Sequence, residues 1–329
     1  MMIRKLIFLV VLAASLWGGY WFVGASAKQI ALTEWFKTQN SRGWTAQYDT
    51  LDVRGFPNRF DTTITNFLLE NPFAQWGWQG NDLEIAALSY KPNHVILSWH
   101  GEQILSTPQA VLRLSARQLR GSLVVEPSID LTLERVRVEA SNMEIDGGRG
   151  WKGGFDFAYM AFENLENRPM DYRFGLSVSA FDHGIQWQSD PPDLPRLIQS
   201  IAIDSTTTYD APWDRLSFES RPPRARHIAL QSLSLQWGDL QITARGELDV
   251  LADGTLDGEL AMRITNARLF LSALRAGGLL ERNLAGGAVS TLTTLIARGN
   301  VLNLPLRFTN RRTRLGPIDL GPAPQMNRR

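Results

Sequence analysis

The stretch ARGELDVLADGTLDGELAMRI, residues 244–264, decides the fold class of this chain. Apolar and polar residues alternate on both sides of Ala252-Asp253-Gly254, a tripeptide typical of a hairpin turn. The alternating apolar positions are Leu248, Val250, Leu256, Leu260, Met262 and Ile264. A period of two places these side chains on one face of two strands, so the stretch predicts an antiparallel hairpin with one buried face.

The same period recurs through most of the chain. It runs through 129–140 with a one-residue slip that indicates a β-bulge, and through 233–244, where Gly238-Asp239 indicates a bulge or a tight turn. In the segment 302–308, Pro305 predicts an edge strand or a strand with one unpaired side. The body is therefore predicted to be mainly β, with long, curved antiparallel sheets.

A helical period interrupts the alternation near residues 267–298. Apolar residues of 269–274 form one helical face, which Gly277-Gly278 ends. Those of 289–296 form another, which Gly299 ends. We therefore expect two amphipathic helices in this region.

Four segments follow from this pattern. Residues 1–27 are typical of a membrane anchor or signal segment, and residues 28–42 predict a linker helix. The proline-rich loop at 188–197 separates a first antiparallel sheet half, 43–195, from a second half with helices, 196–329.

The N-terminal segment from Leu6 to Ala27 is uncharged and follows Arg4 and Lys5. As a helix it would extend about 33 Å, which is enough to cross a bilayer core of roughly 30 Å. Aromatic residues of 17–22 lie toward its far end, where they suit the membrane interface. Since the positive charges precede the span, we expect a single-pass inner-membrane anchor with the body in the periplasm.

A cleaved signal peptide is the alternative interpretation. Ala25-Ser26-Ala27 matches the small-residue pattern of a cleavage site, and Leu6–Leu16 has the length of a signal core. The bulky residues at 17–23 make a poor approach to such a site, which favours a retained anchor. Cleavage after Ala27 would instead leave a soluble periplasmic protein.

Composition argues against several classes of function. The 34 Lys and Arg residues nearly balance the 33 Asp and Glu residues, so nothing indicates a nucleic-acid partner. The chain has no cysteine, which excludes disulfides, thiol catalysis and Cys-ligated metals. Its histidines lack metal-ligand spacing, and it contains no P-loop, dinucleotide fingerprint or G-x-S-x-G elbow. We expect no enzyme activity, no catalytic or metal-binding residues and no cofactor.

In the stretch TLDVRGFPNRFDTTI, residues 50–64, the alternation of apolar and polar residues breaks at Gly55-Phe56-Pro57 and then resumes. Gly55 can adopt backbone angles closed to other residues, and Pro57 cannot donate to a sheet ladder. A recognition loop and a sheet corner are both consistent with the break. No chemical cluster accompanies it, so we interpret Gly55, Phe56 and Pro57 as a structural corner with Phe56 packed at the bend.

Two basic clusters are candidates for contact with anionic lipid head groups. Their members are Arg221, Arg224, Arg226, Arg311, Arg312 and Arg314. The alternative is that these arginines belong to a solvated loop or protect an edge strand.

Three segments together carry a family resemblance: LDVRGFPNRFD at 51–61, ARGELDVLADGTLDGELAMRI at 244–264 and LNLPLRFTNRRTRLGPIDLGPAP at 302–324. With the N-terminal span, they resemble the Gram-negative family called domain of unknown function 2125. The residues Asn310-Arg311-Arg312 depart from the Asp-Gly turn expected there. The resemblance implies an exported, membrane-associated β-rich protein with no assigned activity.

The segment 244–320 is also distantly similar in pattern to AsmA-like envelope proteins. That similarity implies an inner-membrane anchor, long apolar grooves and a link to phospholipid homeostasis, and it brings no catalytic residues.

One-sided strands with few helices leave an apolar face that must pack on another sheet, on itself or on an apolar ligand. Our first hypothesis is a non-enzymatic, membrane-anchored protein of envelope maintenance that binds or passes lipid acyl chains in an apolar groove. Its partners would be the inner membrane, through residues 6–27, and lipids or envelope proteins. The alternatives are a scaffold with a closed β core and, less favoured, an exported enzyme.

Overall fold

The computed structural model of the chain describes residues 2–185, 193–219, 222–276, 293–294, 296–297 and 299–326. The helices are α1 (Met2–Ser41), α2 (Arg215–Glu219) and α3 (Ala267–Ala276). The strands are β1 (Thr45–Gln47), β2 (Thr50–Arg54), β3 (Asp61–Asn71), β4 (Trp76–Leu88), β5 (Lys91–Ser106), β6 (Val111–Val125), β7 (Leu133–Gly148), β8 (Trp151–Leu165), β9 (Arg168–Asp182), β10 (Leu197–Tyr209), β11 (Ala225–Trp237), β12 (Leu240–Val250), β13 (Leu256–Thr265), β14 (Val301–Thr309), β15 (Arg312–Leu315) and β16 (Ile318–Pro322).

The strands form one sixteen-stranded antiparallel sheet that is not closed. From β3 to β16 the strands lie in sequence order, and β1 and β2 both pair with β3. Short connections between consecutive strands make this meander, as expected for antiparallel pairs. The predicted fold class, mainly β with a long apolar N-terminal helix, is confirmed.

The chain forms two compact units. Unit 1 comprises Met1–Pro127 and Glu144–Gly150, and unit 2 comprises Ser128–Met143 and Trp151–Arg329. The predicted division near residue 195 lies within unit 2, between the paired strands β9 and β10.

The core of unit 1 lies between the C-terminal half of α1 and the first strands. Phe36 of α1 is buried in a cluster with Leu51, Ile64 and Phe67. The predicted anchor and the predicted linker helix are therefore one continuous helix, whose second half covers the sheet.

The main core of unit 2 lies under α3. Ala267 and Leu271 of this helix pack on Leu240, Ile264 and Leu302 of the sheet. The first predicted amphipathic helix is thus confirmed. Gly277-Gly278 and most of the second predicted helix lie outside the described residues.

The hairpin at residues 244–264 forms as the alternation predicts. Val250 pairs with Leu256, and Leu251 N–H donates to the carbonyl of Thr255 at 2.9 Å across the turn. Gly254 adopts a φ of 83°, and an added Cβ there would meet the Met326 backbone, so this turn position requires glycine. Gly238-Asp239 forms a tight turn, since Trp237 pairs directly with Leu240.

The prediction of a strand from residue 129 is wrong, because β7 begins at Leu133. Ile129 is 83% exposed, and Leu131 adopts a φ of 50°, which ends its extended alternation.

Pro305 lies just beyond the β14–β15 pairing, which ends at Leu306–Leu315. It pairs with Ala261 of β13 on its other side. On the β15 side, the carbonyl of Pro305 accepts from Gly316 N–H at 2.8 Å, so β14 is not an edge strand and the expected unpaired side is absent. The missing N–H of Pro305 is tolerated because it lies where the ladder with β15 ends.

Candidate functional site

Helix α1 is long and apolar enough to cross a membrane. From Ile3 to Leu16 its side chains are exposed, whereas Trp21, Ala25 and Phe36 farther along are buried. One end of the helix therefore contacts nothing in the described part of the chain, and the other end is part of a folded core.

The loop of residues 55–60 packs against the middle of α1. Trp21 Nε1 donates to the carbonyl of Arg59 at 2.6 Å, and its ring stacks on Phe60 with centroids 6.1 Å apart. Phe60 is buried and lies against Gly24, where an added Cβ would be 2.6 Å from the ring. Glycine at this position lets the aromatic ring approach the helix closely.

A second turn, residues 88–90, supports the same contact. Tyr20 donates from its hydroxyl to the carbonyl of Ser89 at 2.6 Å, and Ser89 N–H donates to the carbonyl of Asn58 at 2.9 Å. We call residues 55–60 and 88–90 together the collar. Two turns that bind each other and the helix fix α1 on the sheet of unit 1.

Lys28, just after the apolar segment, completes the helix side of the contact. Its Nζ donates to the carbonyls of Phe60 at 2.9 Å and Ile85 at 3.3 Å. Burial lowers the pKa of Lys28 to about 8, while the nearby Asp61 carboxylate raises it.

The predicted corner residues lie in the collar. Strands β2 and β3 pair with each other, so the chain reverses at Gly55-Phe56-Pro57 instead of bending one continuous strand. Gly55 adopts a φ of 105°, and an added Cβ would lie 2.8 Å from Cβ of Arg59. Phe56 packs on Trp21 with ring centroids 5.4 Å apart. The packing partner of the corner is α1, which no local sequence signal indicated.

Unit 1 also has an apolar sheet face beyond the part that α1 covers. Paired residues of antiparallel strands point to the same face, so register defines this surface. Its half-buried members include Leu97, Trp99, Leu105, Leu112 and Leu119. These residues belong to β5 and β6, so the face extends across the sheet from the first strands, on which the second half of α1 packs.

Unit 2 has a longer apolar row on its sheet. Pairing places one residue from each strand, β8 to β14, side by side in a single line. The members of this apolar row are Met160, Leu176, Ile203, Leu233, Ala244, Met262 and Leu304. All except Ala244 are half-buried. Six strand spacings of about 4.8 Å make the row about 29 Å long.

The opposite face of unit 2 is polar and charged. A shallow cleft of about 700 Å³ is lined by residues of both faces. They include Arg245, Glu259 and Arg263 of the polar face and Leu233, Ala244, Met262 and Leu304 of the apolar row. Arg173 binds Asp204 on the polar face through contacts of 2.8 and 2.6 Å. Hydrogen bonding to Arg173 lowers the pKa of the Asp204 carboxyl, and burial raises it less. The two faces thus differ sharply in what they can bind.

The predicted basic residues lie at one end of the sheet of unit 2, except Arg221, which is outside the described residues. The ion pairs there are Arg226–Asp210 at 3.4 Å, Arg311–Asp253 at 2.7 Å and Arg312–Asp319 at 2.7 Å. Arg224 and Arg314 are exposed. Three of these cations already have a carboxylate partner, which weakens their attraction for an anionic head group.

Histidines in the described ranges have local partners. His100 lies 3.6 Å from Glu84, and His227 lies 2.8 Å from Asp249. Within the part of the chain that the structure describes, no group of three or more His, Asp or Glu residues could hold a metal ion.

A family model described as "uncharacterized protein conserved in bacteria", DUF2125, matches residues 21–324 of the chain. No curated protein and no solved structure matches it. The family match covers the collar, both apolar faces and the second half of α1. The AsmA-like similarity stays a prediction.

Proposed function

The chain belongs to the bacterial family DUF2125, and we propose that it is a non-enzymatic, membrane-anchored protein whose apolar sheet faces hold lipid acyl chains. Its place would be the inner membrane, with α1 as a single-pass anchor and the body in the periplasm. Arg4 and Lys5 before the apolar segment support this orientation. The biological role would be maintenance of the cell envelope.

The apolar row of unit 2 carries this proposal. Its large side chains are half-buried on a sheet whose other face is charged. Met262 and Leu304 at one end already pack against the core under α3. The part from Met160 to Ala244 spans four strand spacings, about 19 Å, whereas one leaflet of a bilayer core is about 15 Å thick, so an acyl chain fits along it. Burial of each methylene group contributes about 0.8 kcal/mol, which makes such a row a favourable surface for an extended chain.

Helix α1 supports the same conclusion for unit 1. The helix that suits a membrane at its first residues covers part of an apolar sheet face at its last ones, through Leu32 and Phe36. Leu97 and Trp99 of β5 pack against this same cluster, and Leu105 of β5 continues the apolar face. An acyl chain that leaves the bilayer beside α1 would therefore meet apolar side chains.

The test is the lipid content of the full-length protein purified in mild detergent. Extracted lipid is quantified per protein by mass spectrometry for the wild type, for Leu233→Asp in the apolar row and for Gln236→Asp on the polar face of the same strand. A carboxylate in the row should reduce bound lipid at least fivefold, because burying a charge against hydrocarbon is unfavourable. Gln236→Asp should leave the lipid content unchanged, since residue 236 is exposed.

Circular dichroism of each variant establishes that the strand content is intact. Wild-type protein without stoichiometric lipid, or equal lipid in both variants, would contradict acyl-chain binding. Such a result would favour the alternative of a scaffold protein that contacts envelope proteins through its loops and edges.

A further inference from the structure

The free part of α1 is shorter than a bilayer core. Contacts with the collar begin at Trp17, whose Nε1 donates to Oδ1 of Asn58 at 3.1 Å, and continue at Gly18, which faces the ring of Phe56. Lys5, the last charge before the apolar segment, lies 12 residues before Trp17, which is about 18 Å along the helix, whereas the hydrocarbon core is roughly 30 Å thick. A helix that crosses the core must therefore use about eight further residues, several of which contact the collar.

The collar presents exposed apolar side chains at this level. Phe56 is 56% exposed and Tyr90 is 64% exposed, although each belongs to a turn that is otherwise held by hydrogen bonds. On α1 beside Phe56, Phe22 and Val23 are also exposed. Aromatic side chains with an apolar body favour the interface between hydrocarbon and head groups. Phe56 and the exposed helix residues beside it therefore form one apolar patch, and Tyr90 is exposed in the adjoining turn of the collar.

We propose that the collar is a membrane-docking surface, in which Phe56 and Tyr90 insert into the interface of the bilayer that α1 crosses. The partner is the phospholipid bilayer itself. This inference rests on the proposed anchoring by α1 and is independent of acyl-chain binding by the sheet.

The hydrogen bonds between collar and helix hold the docking surface in a fixed position on α1. Tyr20 and Trp21 of α1 bind carbonyls of Ser89 and Arg59, so the two turns cannot move away from the helix without breaking both contacts. A collar that is fixed on α1 and inserted beside it holds unit 1 in one orientation on the membrane surface. The second half of α1 then projects away from the bilayer with the first strands attached.

The chain has no cysteine, so single cysteine variants can be labelled uniquely. Full-length Phe56→Cys and Tyr90→Cys proteins carry an environment-sensitive fluorophore and are reconstituted into phosphatidylcholine–phosphatidylglycerol vesicles. Phe73→Cys is the matched control, because Phe73 is 78% exposed and faces Gly43, beyond the end of α1. About 30 Å of helix separates that end from Tyr20.

Spin-labelled lipids then report the depth of each fluorophore by quenching. Labels at 56 and 90 should be quenched at least twofold more than the label at 73, most strongly by shallow quenchers. A label at Leu9→Cys separates the two proposals, since it should be quenched by deep quenchers if α1 crosses the bilayer. Strong quenching at 9 with equal, weak quenching at 56, 90 and 73 would overturn the docking surface alone. Absence of quenching at 9 would overturn the anchor and the docking surface together.

Discussion

Gly24→Ala is the sharpest perturbation of the contact between α1 and the collar. The new Cβ would lie 2.6 Å from Cζ of Phe60, about 1 Å closer than the usual contact between carbon atoms. Phe60 is buried and packs on aromatic neighbours, including Trp21. Its ring has no free space to move into, so avoiding the new Cβ requires the whole collar to shift away from α1. Such overpacking costs about 1–3 kcal/mol.

Gly19→Ala is the matched control within the same helix. Apart from its chain neighbours and the local helix backbone, a Cβ at Gly19 would meet no atom of the described residues within 4 Å. Both substitutions gain about 1 kcal/mol from the higher helix propensity of alanine. The difference between the two variants therefore isolates the clash with Phe60, and we expect Gly24→Ala to be about 1–3 kcal/mol less stable in its collar contact than Gly19→Ala.

Hydrogen–deuterium exchange of the full-length protein in detergent measures this difference. The amides of Arg59 and Phe60 are hydrogen-bonded to the carbonyls of Gly55 and Ala87, both at 2.8 Å, and report opening of the collar. We expect them to exchange about 5- to 150-fold faster in Gly24→Ala than in Gly19→Ala, since about 1.4 kcal/mol is a factor of ten. Adding Phe60→Leu to Gly24→Ala should slow the exchange again. Equal exchange in the two glycine variants would refute the packing of the collar on α1.

Two further predictions concern the backbone and the charges. Gly55→Ala should lower the free energy of unfolding by about 1–3 kcal/mol, because alanine is strained at a φ of 105°, whereas Gly175→Ala, which meets nothing within 4 Å, should not. Thermal melts of both variants check this, and equal melting temperatures would count against the strained turn. The second prediction concerns Arg173→Met. Because Arg173 lowers the folded-state pKa of Asp204, this ion pair stabilises the protein above the ordinary carboxyl pKa of 3.8 and is lost as the pH falls below it. Urea titrations should show the variant less stable than the wild type at pH 7, by less than about 1 kcal/mol for an exposed arginine, with the difference shrinking toward pH 3. A difference that does not change with pH would contradict it.

The strands were largely predictable because alternation is a local property of the chain. The hairpin at 244–264 and the amphipathic face of α3 follow from neighbouring residues alone. The strand predicted from Ile129 does not form there, because Leu131 adopts a left-handed backbone conformation. The alternation of apolar and polar residues gives no sign of this conformation.

The candidate site was only partly predictable. The sequence predicts a corner at Gly55, Phe56 and Pro57, whereas the chain reverses there between two paired strands. The packing of Phe56 on Trp21 joins residues far apart in sequence. Bulky aromatic residues near the end of an apolar segment suit both a membrane interface and a protein contact, so the sequence alone could not assign Trp21 to the collar.

The apolar row of unit 2 depends on register across seven strands. Alternation predicts which side chains share a face within one strand, but bulges such as the one between Leu230 and Leu233 shift the alignment with the next strand. The members of the row are therefore defined by the strand pairing and not by the alternation within each strand.

The most direct test of acyl-chain binding is photocrosslinking with a phospholipid that carries a diazirine in its acyl chain. Full-length protein in membranes is irradiated, digested and mapped by mass spectrometry. We predict crosslinks in peptides that contain Leu176, Leu233 and Met262 of the apolar row, and fewer after Leu233→Asp. Crosslinks confined to α1 and the collar would contradict the central claim that the sheet holds acyl chains.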